Sequence, residues 1–264
     1  RQRQMCIRDR YHPDPFWGGI MDAYRQPKFS YFMMKSLLPT NGLETVPNVD
    51  AEPFVYIAHL LSPFSAKDIT VFTNCDEVQL TMYGKEIGIK KATDENSPVP
   101  RVPVVFKDVF RYVDIRNKNK KDYNKINQSH VEESIVKAEG LIDGKVVTEH
   151  LIWPVGRKRR LVLKVDDSSL QPVADGSDIT TVVAYLVDAG GAIKRLSDEY
   201  IKFSVNGVGE LIEDQNIGIN PQKLLWGEAV ALIRSGRKPG TIRVKAELLR
   251  DGINSPDFAE IEFN

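Results

Sequence analysis

Chemistry in this chain would have to come from acidic side chains, because it has 36 Asp and Glu but only four His and two Cys. Two carboxylates facing one bond can act as acid and base. Adjacent pairs occur, among them Asp76-Glu77, Asp94-Glu95, Glu132-Glu133, Asp166-Asp167 and Asp198-Glu199. Neighbouring residues of a strand point to opposite faces, so no such pair can flank a single bond. The run Asp175–Asp178 offers oxygens to calcium but lacks the spacing of a known calcium loop, and it reads as a turn. His12, His59, His130 and His150 show no metal-ligand spacing, so no metal and no cofactor are expected. Cys75, in "VFTNCDEVQL", has no His nearby in sequence. It reads as a small buried hydrophobe in a strand rather than a nucleophile.

The opening "RQRQMCIRDR" patterns with no later element. It has four Arg and no apolar core, so it is no secretory signal. Its "QMCIRDR" core resembles translated sequencing adapter, and residues 1–10 are expected to be non-native and to add nothing to the fold. The formal charge of the whole chain is zero; without these ten residues, which hold four Arg and one Asp, it is −3. That balance suggests no nucleic-acid partner. The basic runs "GRKRR" and "RNKNKK" read as a linker and a solvated loop. No apolar run of about 18 residues occurs, so no transmembrane helix is expected. An apolar content of 42% suits ordinary globular packing.

The elements can be read from periodicity. "FWGGIMDAYRQPKFSYFMMKSLLP" reads as helical: Phe29, Phe32, Met33 and Leu37 recur at three to four residues, Asp22 can cap a start, and Pro27 fits a first turn. So aromatic a helix needs a partner, which nothing else in the sequence supplies. From Phe54 the signal is β, in short β-branched and aromatic runs with partial alternation. Hairpins are expected at Gly84-Lys85 and Asp143-Gly144. The polar stretch around 116–130 reads as a long mobile loop. After "PVGRKRR" (154–160) a second β series begins, punctuated by "ADGSD", "AGG", "SGRKPG" and "RDGINSPD". Each half is about 100 residues, the size of an immunoglobulin-like sandwich. The fold class is mainly β: two immunoglobulin-like β-sandwiches in tandem, preceded by one helix. The divisions expected are 1–10, 11–50, 51–155 and 156–264.

Three phrases carry a family likeness. "GGIMDAYRQPKFSYFMMKS" resembles the last helix of the catalytic (β/α)8 barrel of glycoside hydrolase family 2, through Gly19, Ile20, Asp22, Pro27, Lys28, Tyr31 and Ser36. "VFTNCDEVQLTMYGKEIG" resembles the immunoglobulin-like module that comes next in that family, through Asn74, Cys75, Asp76, Val78, Leu80, Gly84 and Lys85, with Met82-Tyr83 replacing the usual Leu-Asn. The runs from "ADGSDITTVVAYLVD" to "GTIRVKAE" are similar to the family's C-terminal invasin-like sandwich.

The resemblance implies a retaining β-glycosidase as parent, most like a β-galactosidase, periplasmic or extracellular and acting in carbohydrate metabolism. Its two catalytic glutamates would lie on earlier barrel strands, so no catalytic residue is assigned in this chain. The partners implied are the missing catalytic barrel of the same polypeptide and, through it, an oligo- or polysaccharide. Phe16 and Trp17 precede the helix on the side where the family's sugar pocket opens, which makes them candidate substrate-binding residues. Trp226, before Gly227 at a strand start, is expected to cover the end of the second core, leaving that sandwich a spacer. The rival readings are a cell-surface adhesion stalk, which has no reason to carry the barrel-closing phrase, and a carbohydrate-binding module, which needs an exposed aromatic platform.

Overall fold

The computed structural model describes residues 19–21, 26–40, 51–114, 135–156, 159–166, 172–212, 220–250 and 253–263. The chain forms two compact units, Arg1–Pro154 and Val155–Asn264. The leader, the stretch around 116–130, and Phe16, Trp17, Asp22, His12 and His130 lie outside the described residues.

The first unit contains a short helix, α1 (Phe29–Lys35). It starts later than the periodicity suggested. Lys28 occupies the N-cap and makes no side-chain capping bond, and Pro27 pairs with Met21 as an isolated bridge. The reason is the local hydrogen bonding ahead of the helix. The Lys28 N–H donates to Ile20 O, and Ser30 Oγ donates to Gly19 O. These bonds fold residues 19–21 back against the helix start.

The strands of this unit, among the described residues, are β1 (Val55–Ile57), β2 (Ile69–Thr73), β3 (Glu77–Met82), β4 (Lys85–Lys91), β5 (Val104–Phe106), β6 (Val136–Ile142) and β7 (Lys145–Ile152). They form an antiparallel sheet β1-β2-β5 and a second sheet β4-β3-β6-β7. This is the immunoglobulin arrangement of A-B-E against C′-C-F-G. Alternation sets the facing. Val78, Leu80 and Met82 of β3 are buried, while Glu77, Gln79 and Thr81 look outward. The inward set packs with Val55, Ile57, Ile69, Val71, Val104 and Phe106 of the other sheet into one core.

Both hairpin turns use a residue at positive φ followed by glycine, as type I′ geometry demands. Asp143-Gly144 lies where expected (φ 51° and 73°). The other turn is Tyr83-Gly84 (φ 55° and 75°), one residue earlier than expected, because Lys85 already pairs with Met82 in the ladder.

Polar side chains bridge both open sides of this sandwich. Lys90 on edge strand β4 donates from Nζ to Val105 O of β5 at 2.7 Å. Its ammonium also lies 5.1 Å from the centre of the Phe106 ring. On the opposite side, the Ile57 N–H of β1 donates to His150 Nδ1 of β7 at 3.1 Å. Inward-reaching polar groups of this kind also discourage pairing of sheet edges with other chains.

The second unit contains β8 (Arg160–Val165), β9 (Ile179–Val187), β10 (Tyr200–Gly207), β11 (Glu210–Leu211), β12 (Gln222–Lys223), β13 (Glu228–Arg234), β14 (Ile242–Arg250) and β15 (Ile253–Phe263). Its sheets run β11-β13-β9-β8 and β12-β10-β14-β15. Leu161, Val182, Ala184, Leu186, Ala231 and Ile233 from the first meet Ile201, Phe203, Val244, Ala246 and Leu248 from the second. Burying each of the larger of these side chains contributes about 1.5–3 kcal/mol.

Candidate functional site

The phrase "TNCD" forms a joint between the end of the helical segment and the first sandwich. Asn74 is buried between β2 and β3. Its Oδ1 accepts the Phe54 N–H at 2.7 Å, and its Nδ2 donates to Glu52 O at 2.9 Å and to Pro39 O at 3.5 Å. Thr73 Oγ1 donates to Phe54 O at 2.6 Å and accepts the Cys75 N–H at 3.0 Å. Arg101 donates to Asn74 O at 3.0 Å and to the Asp76 carboxylate at 2.8 Å. Thr73 and Asn74 therefore fix backbone directly, and Asp76 does so through Arg101.

Cys75 lies in this bend rather than in a strand, because Asp76 N–H already turns to Leu141 O to start β3. It is fully buried, and burial pushes its thiol pKa up. A buried, protonated thiol is a poor nucleophile.

The helix finds its partner within the same unit, contrary to expectation. Phe32 stacks on Tyr56 with ring centres 3.7 Å apart and planes 9° from parallel. Tyr56 in turn contacts the His150 ring at 4.7 Å, and Phe29 meets Tyr56 edge-on at 6.1 Å. Lys35 lies 5.2 Å over the Phe54 ring. The sequence hid this because Tyr56 is an outward residue of a three-residue strand. Met33 and Met34 of the helix, and Ile20 and Met21 ahead of it, remain exposed.

Two histidines are structural. His59 Nδ1 accepts the Leu61 N–H, and its Nε2 bonds Ala66 O at 2.9 Å, which places the proton on Nε2. Its ring meets Phe110 edge-on at 4.5 Å, and burial lowers its pKa. His150 accepts at Nδ1, so it too is neutral, and burial lowers its pKa to about 4.

The described carboxylates are dispersed. Asp76 binds Arg101, Glu199 binds Arg159, and Asp198 lies 3.7 Å from Lys223. Asp175 caps its turn, accepting the N–H groups of Ser177 (2.7 Å) and Asp178 (3.0 Å), which lowers its pKa. Among the described residues no three His, Cys, Asp or Glu side chains converge as metal ligands. No described helix is long and apolar enough to cross a membrane.

In the second unit Asp188 is fully buried and anchors the incoming chain. Its carboxylate accepts N–H groups from Gly156 (2.7 Å), Gly190 (2.8 Å) and Ala192 (3.0 Å). Lys194 Nζ donates to Gly156 O at 2.6 Å, and burial lowers the Lys194 pKa.

Trp226 does not cover the core. It occupies the first place of a two-residue turn, with φ 57° followed by Gly227 at φ 80°. It is 45% exposed, and Leu224, two residues earlier, is the buried side chain. The backbone bonds between Leu225 and Glu228 close this turn.

Comparison with known proteins gives this geometry a context. Residues 161–250 match the family model "Glycoside hydrolase family 2 C-terminal domain 5". A β-galactosidase of Thermoanaerobacter pseudethanolicus is 31% identical over 239 residues, covering 88% of this chain and 28% of its own length. β-Galactosidase BoGH2A of Bacteroides ovatus is 24% identical over 183 residues, covering 66% of the chain and 18% of its own length. The chain thus spans less than a third of these curated relatives. Crystal structures share the fold. A glycosyl hydrolase family 2 member from Bacteroides cellulosilyticus has a TM-score of 0.64 at 18% identity, over 93% of this chain and 32% of its own. A β-glycosidase from Bacteroides vulgatus has a TM-score of 0.63 at 17% identity, over 93% and 27%. The three phrases in family order, the family match over the second unit and the shared fold make this chain a C-terminal part of glycoside hydrolase family 2.

Proposed function

We propose that the chain is the non-catalytic accessory region of a retaining β-glycosidase of the β-galactosidase kind, where it braces and spaces the catalytic barrel. The observation that carries this is Asn74, which holds the end of the helical segment (Pro39 O) and the start of the sandwich (Glu52 O, Phe54 N) through one buried amide. A joint of this kind transmits position, whereas a flexible linker would not. The exposed apolar residues Ile20, Met21, Met33 and Met34 offer the barrel a surface to rest on. Strand β7 ends at Ile152, beside Val136 and so at the Met82 end of the sheet. The Asn74 joint lies at the other end, where Thr73 leads to Glu77. The Asn74 joint and the exit of β7 therefore lie at opposite ends of the sheet β4-β3-β6-β7.

Two measurements test the reading. The purified chain should leave nitrophenyl β-galactoside and β-glucuronide intact, and turnover abolished by a single Glu→Gln change would overturn the non-catalytic assignment. Met34→Asp should leave the stability of this chain unchanged but lower the inactivation temperature of a protein that carries the barrel as well. Equal effects in both would remove the bracing role.

A further inference from the structure

Asn206 and Gly207 meet the conditions for a reaction of the chain with itself. An asparagine can lose its side-chain amide when the next backbone nitrogen attacks its carbonyl carbon, and a following glycine leaves that nitrogen uncrowded. The reaction also needs an amide and an N–H that nothing else holds. The described asparagine side chains differ in this. Asn74 is buried, its amide is bonded at both ends, and Cys75 follows it. Asn96 Nδ2 donates to Asp94 Oδ1, and Ser97 follows. Asn220 accepts the Phe203 N–H and donates to Phe203 O, both at 2.8 Å. It precedes Pro221, which has no N–H to attack with. Asn206 is exposed, and among the described residues its amide has no partner.

The ladder frees the attacking nitrogen as well. Strand β10 pairs with β14 so that Asn206 faces Arg243 and Gly207 faces Ile242. One residue further on, the Val208 N–H donates to Thr241 O. Bonded and unbonded pairs alternate along an antiparallel ladder, so Gly207 forms an unbonded pair and its N–H points away from β14. On that side β12 reaches only Tyr200 and Ile201. Gly207 ends β10 and stands at φ 101°, outside the conformation of the strand. Element ends open at the least cost, which allows Asn206 the rotation that ring closure needs. The glycine is also obligatory, because a Cβ there would run into Thr241 O.

We infer that Asn206-Gly207 is a site of spontaneous deamidation. The Gly207 nitrogen gives its proton to a base and bonds to Asn206 Cγ, the Cγ–Nδ2 bond breaks, and the nitrogen takes up a proton and leaves as ammonia. Water then opens the cyclic imide to aspartate or isoaspartate, and no oxidant or reductant takes part. Aspartate places a negative charge across from Arg243 on the outer face of the sheet. Isoaspartate instead inserts a methylene into the backbone beside Gly207, where Thr241 leaves no space to spare. The inference stands on this strand end and does not depend on the accessory role proposed above.

The test is incubation of the intact chain in mildly alkaline buffer, well below its thermal midpoint, followed by peptide mapping with fragmentation that separates aspartate from isoaspartate. Asn206 should gain the mass of an amide-to-acid exchange, appear as both acids, and convert faster than Asn74, Asn96 and Asn220. An isoaspartate-specific methyltransferase should label the same peptide. Asn206→Gln keeps an amide but must close a larger, slower ring, so both signals should vanish at this position while the thermal midpoint stays unchanged. The other Asn-Gly pair of the sequence, Asn41-Gly42, is the internal reference. Conversion at Asn41 without conversion at Asn206 overturns the inference, since it shows that the strand protects the site. An Asn206 that stays intact in a chain converting nowhere overturns it too, as does conversion no faster than at Asn96.

Discussion

The backbone N–H of Ile57 donates to Nδ1 of His150 across the open side of the first sandwich, at 3.1 Å, between residues 93 apart in sequence. The bond needs an unprotonated Nδ1, and the ring also ends the stack that runs through Tyr56 to Phe32 of the helix. One imidazole therefore couples strand β1, strand β7 and the docking of α1.

Acid should loosen this arrangement. Burial lowers the His150 pKa from 6.5 to about 4, so between these values the unfolded chain binds a proton that the folded chain does not. Stability contributed by this group is intact above 6.5, declines as pH falls towards 4 and is level below. The total is on the order of 3 kcal/mol. His59, also lowered by burial, acts in the same direction. Urea unfolding at about pH 7 and about pH 4.5 should show the loss, and His150→Gln should reduce the slope. Identical slopes in the two proteins would show that His150 does not set it.

Asn74→Ala removes the partners of the Phe54 N–H and the Glu52 carbonyl inside the joint. Leaving buried polar backbone groups unpaired costs about 1–3 kcal/mol each, so a loss of roughly 3 kcal/mol is expected in chemical denaturation. Asn74→Asp should recover little, because a carboxylate cannot donate to Glu52 O. Full stability in the aspartate variant would mean that the accepting oxygen alone matters.

Gly140 leaves no room for a methyl group. A Cβ there would lie 2.8 Å from Cys75 Sγ and 2.8 Å from Thr148 Cγ2. Gly140→Ala should destabilise the chain by about 1–3 kcal/mol through overpacking. Adding Cys75→Ala should return part of that loss, since contacting sites couple. Strict additivity of the two changes would show that the thiol is not what the methyl meets. Cys75 itself should resist thiol reagents until the chain unfolds.

Asp188→Ala should carry the largest penalty among these changes. It strips three backbone N–H groups of their acceptor and leaves the Lys194 ammonium near no compensating carboxylate but Glu199. Removing one side of such a buried charged cluster costs about 3–5 kcal/mol. A thermal melt of the second unit should register it, and a loss within error of zero would mean water replaces the carboxylate there.

Local pattern determined much of this protein. Alternation marked Val78, Leu80 and Met82 as an inward face, and Asp143-Gly144 marked a hairpin, because side-chain facing and turn geometry depend on residues only one or two positions apart. The ordered phrases around Lys28, Asn74 and Gly227 carried the family likeness for the same reason, being contiguous. Tertiary structure alone decided what those residues do. Asn74 bonds Pro39, Glu52 and Phe54, Tyr56 stacks between helix and His150, and Trp226 is turned out of the core it was expected to cover. The helix likewise shrank to Phe29–Lys35, since bonds from Lys28 and Ser30 to Ile20 and Gly19 outweighed the apolar spacing. Contacts between distant segments leave no periodic trace in sequence, and they set whether an aromatic or a polar group is buried, shared or presented to solvent.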